Sequence, residues 1–426
     1  MSLLKKIYYA PLISLSLAPC TVFAKKIIFN DLLSQSWEYQ TDAKTLASSQ
    51  NILDVLKKNT NTIFKQRPNL EINSVLSSEK EYQIKTNFEF KNTNQKIIDS
   101  TVIDNEYLIL SLKNAQSKLD FAQLLENISW QFILFQQQLQ HCNKQLETNL
   151  EFKKLIFKQY QTGLISYIQF KLLEVDILDF QQKCRNIEYD LQDNLIVLNN
   201  ISNYIINNNI NNINVNDVIE IKNDEAVNSI FNAQGVIKNI NNTDNINNTF
   251  NIEQHPSYQY QKSIIQRSIL QKNYINNQPK YPIIGSIGTG IKSQNKTSYQ
   301  ISLGIQIPLD KQYEIIQKNA EISKNLIESE NNYLIFKKQL NSQVNQTINM
   351  INKYHEILKI TEQAIKTQTD ILAIYYKAVV AGEVDLAVYL KNKRDFFSLE
   401  QQLIKNKIDL QQAQRALLYN MGLFKY

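Results

Sequence analysis

Cys142 and Cys184 are the residues whose type and spacing most readily suggest chemistry, because they stand 21 residues before and 21 after Gly163 (163 minus 142, and 184 minus 163). If the chain folds back at that glycine, the two thiols reach the same height on facing helices. There they either form a disulfide, as an oxidising compartment allows, or remain two buried thiols packing as small apolar side chains. His141, His255 and His355 are scattered, and His141 beside Cys142 is too little for a metal site, which takes several converging ligands. No Ser/His/Asp set, phosphate loop, zinc spacing or carboxylate pair within a Gly-built pocket occurs. The many Asp and Glu residues fall on helical stretches whose solvated faces account for them. The sequence thus offers no catalytic residue, no cofactor site and no metal site, and it points away from an enzyme.

The elements that carry these cysteines must be long helices, because only 8 Gly and 7 Pro in 426 residues leave few places to turn. With 43% hydrophobic and 20% charged residues and a mean hydropathy of -0.35, the chain is too polar for a bundle of membrane-spanning helices. Lys5 and Lys6, an apolar run over residues 7–18 and Val22-Phe23-Ala24 together read as an export signal cleaved after Ala24. A lipoprotein reading of Leu17-Ala18-Pro19-Cys20 is the alternative, and Pro19 fits it poorly. The formal charge of +6 becomes +4 without Lys5 and Lys6 (6 minus 2), too little in so long a chain to suggest nucleic acid.

The chain contains a repeat. Residues 160–166 and 379–385 align at an offset of 219 (382 minus 163). Leu125, Phe132, Leu139 and Leu146 then meet Val344, Ile351, Leu358 and Ile365, while Phe170, Ile177, Cys184, Leu191 and Leu198 meet Tyr389, Phe396, Leu403, Leu410 and Leu417. Successive members are seven apart, which is the seam of a coiled coil on an ascending and a descending helix. Gly163 and Gly382 suit helix C-caps, and Ser166 and Asp385 suit the N-caps of the helices that follow. Each half is predicted to be a long helical hairpin with a tight tip, its ascending helix about 100 Å long at ~1.5 Å per residue.

Upstream of each hairpin the period changes to two. Tyr299, Ile301, Leu303, Ile305 and Ile307 alternate with Gln300, Ser302, Gly304 and Gln306; a partner strand over 281–291 and a turn over 293–297 precede them. In the first half, Tyr82, Ile84, Thr86, Phe88 and Phe90 alternate with Gln83, Lys85, Asn87 and Glu89, after a weaker strand over 70–76. These are the length and pattern of transmembrane β-strands; the other reading is two surface hairpins of a soluble protein. The expected organisation is a signal peptide (1–24), a first repeat (25–203; strand pair 70–90, hairpin 94–203), an Asn-rich link (204–254) structured at most around 215–221, and a second repeat (255–426; strand pair 281–307, hairpin 310–422). The fold class is mainly α with β, an α-barrel of hairpins plus four strands per chain. Four strands cannot close a barrel, and lipid does not tolerate an open edge, so further copies of the chain must complete it.

The two tip motifs with their N-caps, the strand running into Pro308-Leu309 and the repeat itself resemble the TolC-type outer-membrane efflux proteins, from about residue 40 to residue 423. The resemblance implies a homotrimer with a twelve-stranded barrel in outer-membrane lipid and a twelve-helix tunnel in the periplasm. It also implies a periplasmic adaptor and an inner-membrane pump or ABC exporter as partners, in tripartite efflux or type I secretion. Family tips contact the adaptor through a small residue, glycine and the next residue, here Thr162-Gly163-Leu164 and Ala381-Gly382-Glu383, flanked by Tyr160, Ser166 and Asp385. Well-known members carry acidic rings six and nine residues beyond the second glycine, where this chain has Val388 and Lys391. A Lys391 ring lining the entrance would favour anions; alternatively, Lys391 points to solvent between coils. A periplasmic coiled-coil scaffold without a pore would account for the hairpins and leave the strand alternation unexplained.

Overall fold

The computed structural model describes residues 26–59, 69–76, 80–89, 93–202, 216–221, 252–278, 284–293, 297–307 and 311–424. The signal region, Cys20 and Phe90 lie outside them, as do residues 281–283 of the expected partner strand and most of the Asn-rich link. Strand β1 (Lys26–Ile28) leads into helices α1 (Phe29–Tyr39) and α2 (Thr41–Asn59), followed by β2 (Asn69–Leu76), β3 (Lys80–Glu89), α3 (Thr93–Gln161) and α4 (Tyr167–Ser202). After β4 (Val218–Glu220) and a 3-10 turn (Ile252–Gln254) come α5 (Pro256–Asn276), β5 (Ile284–Ser293), β6 (Thr297–Gln306), α6 (Lys311–Val380) and α7 (Leu386–Asn420). Both halves run helix, strand, strand, long helix, shorter helix.

Helix α3 has 69 residues and α6 has 70, and neither contains Gly or Pro. Nothing in either sequence removes a ladder N–H or adds backbone freedom, so each helix continues until its tip glycine. At ~1.5 Å per residue each is about 100 Å long.

Most seam positions do what their period requires in the first hairpin, with Leu139 and Leu146 only half-buried. Phe170, Ile177, Cys184, Leu191 and Leu198 are all buried, as are Leu125 and Phe132 opposite them. In the second hairpin Val344, Ile351, Tyr389 and Leu417 are buried, while Phe396, Leu403 and Leu410 are half-buried. The buried phenylalanine there is Phe397, one residue beyond the expected seam, which packs edge-on against Phe180 with centroids 4.5 Å apart. Helix α7 packs on α6, α3 and α4, so its buried stripe is wider than a two-helix seam.

The hairpins are clamped midway by a belt that seam periodicity does not announce. Strand β1 pairs in parallel with β4, Ile27 opposite Ile219. Phe29, Leu32 and Leu33 of α1 insert between α3, α4 and the end of α7 to form the largest core, with Leu125, Phe132, Leu191, Leu198 and Tyr419. Burying each such side chain stabilises the fold by about 1.5–3 kcal/mol.

Strands β2, β3, β5 and β6 form one antiparallel sheet in that order, and β3–β5 joins the two halves, with Gln83 opposite Gly290 and Thr86 opposite Ile287. Ser293 and Thr297 pair with each other, so both strands extend one residue further into the expected turn. The strands approach closely because glycine faces serine across the ladder. A Cβ on Gly288 would stand 2.6 Å from Ser302 Oγ, and one on Gly304 2.5 Å from Ser286 Oγ. A side chain at either place would require the facing serine hydroxyl to move.

Candidate functional site

Two surfaces are the candidates for function: the face of the sheet and the hairpin tips. On β6, Tyr299, Ile301, Leu303 and Ile305 are 81%, 80%, 78% and 75% exposed. Register places Ile291, Thr289, Ile287 and Gly285 beside them, and Tyr82, Ile84, Thr86 and Phe88 next in line. Tyr82, Ile84, Ile287 and Ile291 are also exposed. A contiguous apolar sheet face turned outward has no counterpart among the described residues and suits hydrocarbon. Tyr82 and Tyr299 flank Ile291 near the turn end of the sheet, where amphipathic rings suit a membrane–water boundary. The opposite face carries Gln83, Lys85, Asn87, Gln300 and Gln306 with the Gly–Ser pairs, and Gln83 Nε2 donates to Ser302 Oγ at 3.1 Å. One face of the sheet is apolar and the other polar.

The tips are built by local rules. Gly163 and Gly382 have φ of +76° and +77°. At the first tip, Leu164 N–H donates to the Gln159 carbonyl and Gly163 N–H to the Tyr160 carbonyl. At the second, Glu383 N–H donates to Ala378 and Gly382 N–H to Val379. Both are Schellman closures that need a left-handed residue. Ser166 and Gln169 form a complete capping box: Gln169 N–H donates to Ser166 Oγ, and Ser166 N–H to Gln169 Oε1. Asp385 Oδ1 accepts from Ala387 N–H at 3.0 Å.

The structure brings the two tips of one chain together. Gln159 Nε2 donates to the Val380 carbonyl at 2.9 Å, and Gln169 Nε2 reaches Asp385 Oδ1 at 3.5 Å. Ile165, Phe170, Val379 and Leu386 share one core beneath them. Their outer surfaces differ, since the first presents exposed Leu164, Tyr167 and Ile168, whereas the second presents Glu383, Asp385 and Ala387. Thr162 and Ala381 are exposed beside the glycines, and Tyr160 stacks on Phe170 at 5.5 Å.

Above the second tip, Val388 and Lys391 are exposed. The neighbouring basic residues are engaged elsewhere: Arg394 Nε lies 3.2 Å from Asp176 Oδ1, and Lys393 Nζ lies over the rings of Phe152 and Tyr389. Burial pulls the Lys393 ammonium down to about 8, against the opposing pull of Asp176. Cys142 and Cys184 are bonded to each other, with Cα atoms 5.7 Å apart. His141 stacks on Phe397 and reaches Glu400 at 3.1 Å, which ties the braced hairpin to the second.

Sequence reasoning missed the charged centre of the belt. Glu126 and Arg415 are 2% and 3% exposed. Arg415 Nε donates to Glu126 Oε1 at 2.7 Å, Tyr419 Oη to Oε2 at 2.5 Å, and Trp130 Nε1 to Oε1 at 3.1 Å. Trp130 lies one helical turn from Glu126, but Arg415 and Tyr419 are far from it in sequence and follow no shared period; the only signal was that Glu126 stands beside a seam residue, Leu125.

No protein-family model matches the sequence, and no curated protein matches it either. Solved structures do match. They include OprN, described as an outer-membrane channel, at 9% identity and a TM-score of 0.70, the alignment covering 92% of this chain and 89% of that one. CusC, described in terms of transmembrane channel formation, aligns at 11% identity and 0.69, covering 92% of each chain. The outer membrane protein VceC of Vibrio cholerae aligns at 10% identity and 0.67, covering 92% and 96%. With its outward apolar sheet and its two long hairpins, the chain has the fold of the TolC-type outer-membrane channels.

Proposed function

We propose that the protein is an outer-membrane channel-tunnel, the outermost part of a tripartite efflux or type I secretion assembly. The observation that supports this most is the four-stranded sheet, apolar outside and polar inside, standing on hairpins about 100 Å long. Three copies supply twelve strands to close a barrel in lipid and twelve helices to continue the bore through the periplasm. Such an object moves solutes and does not transform them. The similarity of fold to channels named for the outer membrane supports the same reading.

Planar bilayers test the pore directly. Purified oligomer is expected to conduct, with weaker preference for cations than channels that carry acidic entrance rings, because Lys391 occupies the corresponding site. Lys391→Glu is expected to move the reversal potential toward cation preference. Absence of conductance would remove the channel reading, and strong cation selectivity in the native protein would remove the Lys391 ring alone.

The tips are the docking site for a periplasmic adaptor, which in turn engages the inner-membrane pump or ABC exporter. A Cβ at Gly163 or Gly382 meets nothing within 4 Å in the single chain. A bulky side chain there therefore costs about 1–2 kcal/mol of backbone strain and no internal clash. Gly382→Trp and Gly163→Trp are expected to leave oligomers intact and abolish export, while Gly382→Asn, which tolerates the left-handed conformation, keeps it. Normal export by both Trp variants, measured as cargo or dye leaving cells, would place docking elsewhere.

A further inference from the structure

His255 lies where the second half of the chain begins, and its imidazole is 5% exposed. It is the N-cap of α5: Nδ1 accepts from Ser257 N–H at 3.1 Å. The ring also hydrogen-bonds to the backbone of Tyr419, in the last turn of α7. With Nδ1 an acceptor, the single ring proton sits on Nε2 and is the one donated to that carbonyl. The last turn of α7 closes on Gly422, φ +67°, where a Cβ would stand 2.8 Å from His255 Cα. Residue 422 must be glycine both for its conformation and because His255 occupies the space.

We propose that His255 is a proton-operated clasp, fastening the first turn of α5 to the last turn of α7 while neutral and releasing it when protonated.

A second proton has only Nδ1 to go to. It would turn the acceptor of the Ser257 bond into a donor facing a donor, and it would put positive charge at the positive end of the α5 dipole, opposed in part by the Tyr419 backbone at the negative end of α7. No counter-charge faces the ring among the described residues packed on it. Helix α6 contributes Phe336, with ring centroids 6.5 Å apart. On α7, Arg415 and the Tyr419 hydroxyl are both spent on Glu126 of α3. Glu253 in the preceding turn is exposed, and Tyr258 follows on α5 itself. Burial accordingly pulls the imidazole below its ordinary range, opposed only by the Tyr419 backbone. Below about pH 6.5 the unfolded chain binds the proton that the folded chain refuses. The clasp therefore contributes fully above that pH and loses strength as acidity increases, down to the lowered folded value. The periplasm, which small ions reach freely, exposes this joint to external acid. The inference concerns the belt and does not depend on the tips or on cargo.

Hydrogen exchange on the full mature chain in detergent, at about pH 7.5 and about pH 5.5 and corrected for intrinsic rates, reads the joint. Amides over 256–262 and 417–424 are expected to lose protection several-fold at the lower pH while the middle of α3 does not. His255→Asn supplies an N-cap acceptor that does not titrate, and its protection is expected to be independent of pH; His255→Ser serves the same purpose if the first variant does not fold. Unchanged native protection across this range, acid loss spread evenly over the belt, or the same pH response in the Asn variant would each overturn the clasp.

Discussion

Arg415→Ala is expected to destabilise the belt by about 3–5 kcal/mol, the cost of leaving a buried carboxylate without its partner. Glu126 would keep Tyr419 and Trp130 as donors but lose the charge that balances it, with almost no water within reach. Phe424 would also lose the guanidinium stacked 5.0 Å from its ring centre, so packing falls with charge. Glu126→Gln should be damaging for the converse reason, since Arg415 then remains charged and buried. The double replacement Glu126→Met and Arg415→Met should recover most of the loss, because a well-packed apolar pair can equal a buried ion pair. Thermal denaturation of the detergent-solubilised protein measures all three. If Arg415→Ala melts with the wild type, the pair is not what holds α7 to α3.

Ile301→Lys is expected to prevent stable insertion. Ile301 is central on β6, opposite Thr289, with its side chain turned away from the chain. An ammonium on the lipid face of a β-barrel near the bilayer midplane costs about 2–4 kcal/mol. A symmetric assembly repeats that cost in every copy. Gln300→Lys, one residue away on the hydrated face, should be tolerated and serves as the control. Outer-membrane fractions containing a heat-modifiable oligomer for Gln300→Lys but not for Ile301→Lys support the assignment. Equal amounts of both, or a soluble Ile301→Lys protein of normal shape, would instead favour the periplasmic scaffold.

What the sequence made legible follows from the range of the forces involved. The tips obey rules that act within a few residues, so Gly163, Ser166, Gly382 and Asp385 could be read directly as caps. Likewise, alternation along β6 tells which side chains face outward before any partner strand is known. The first seam was readable because α4 has one dominant neighbour, α3. Helix α7 answers to α3 and α4 as well as to α6, and so Phe397, which meets Phe180 of α4, rather than Phe396 is the buried ring. Contacts without period stayed hidden: β1 against β4, Glu126 against Arg415, and His255 against Gly422 each join residues more than 150 apart. Tertiary geometry alone brings these together.

The order β2-β3-β5-β6 leaves β2 and β6 with one bare side each within a single copy. Among the described residues, each bare side is a row of unspent backbone donors and acceptors, a selvedge onto which a strand of another polypeptide can be stitched.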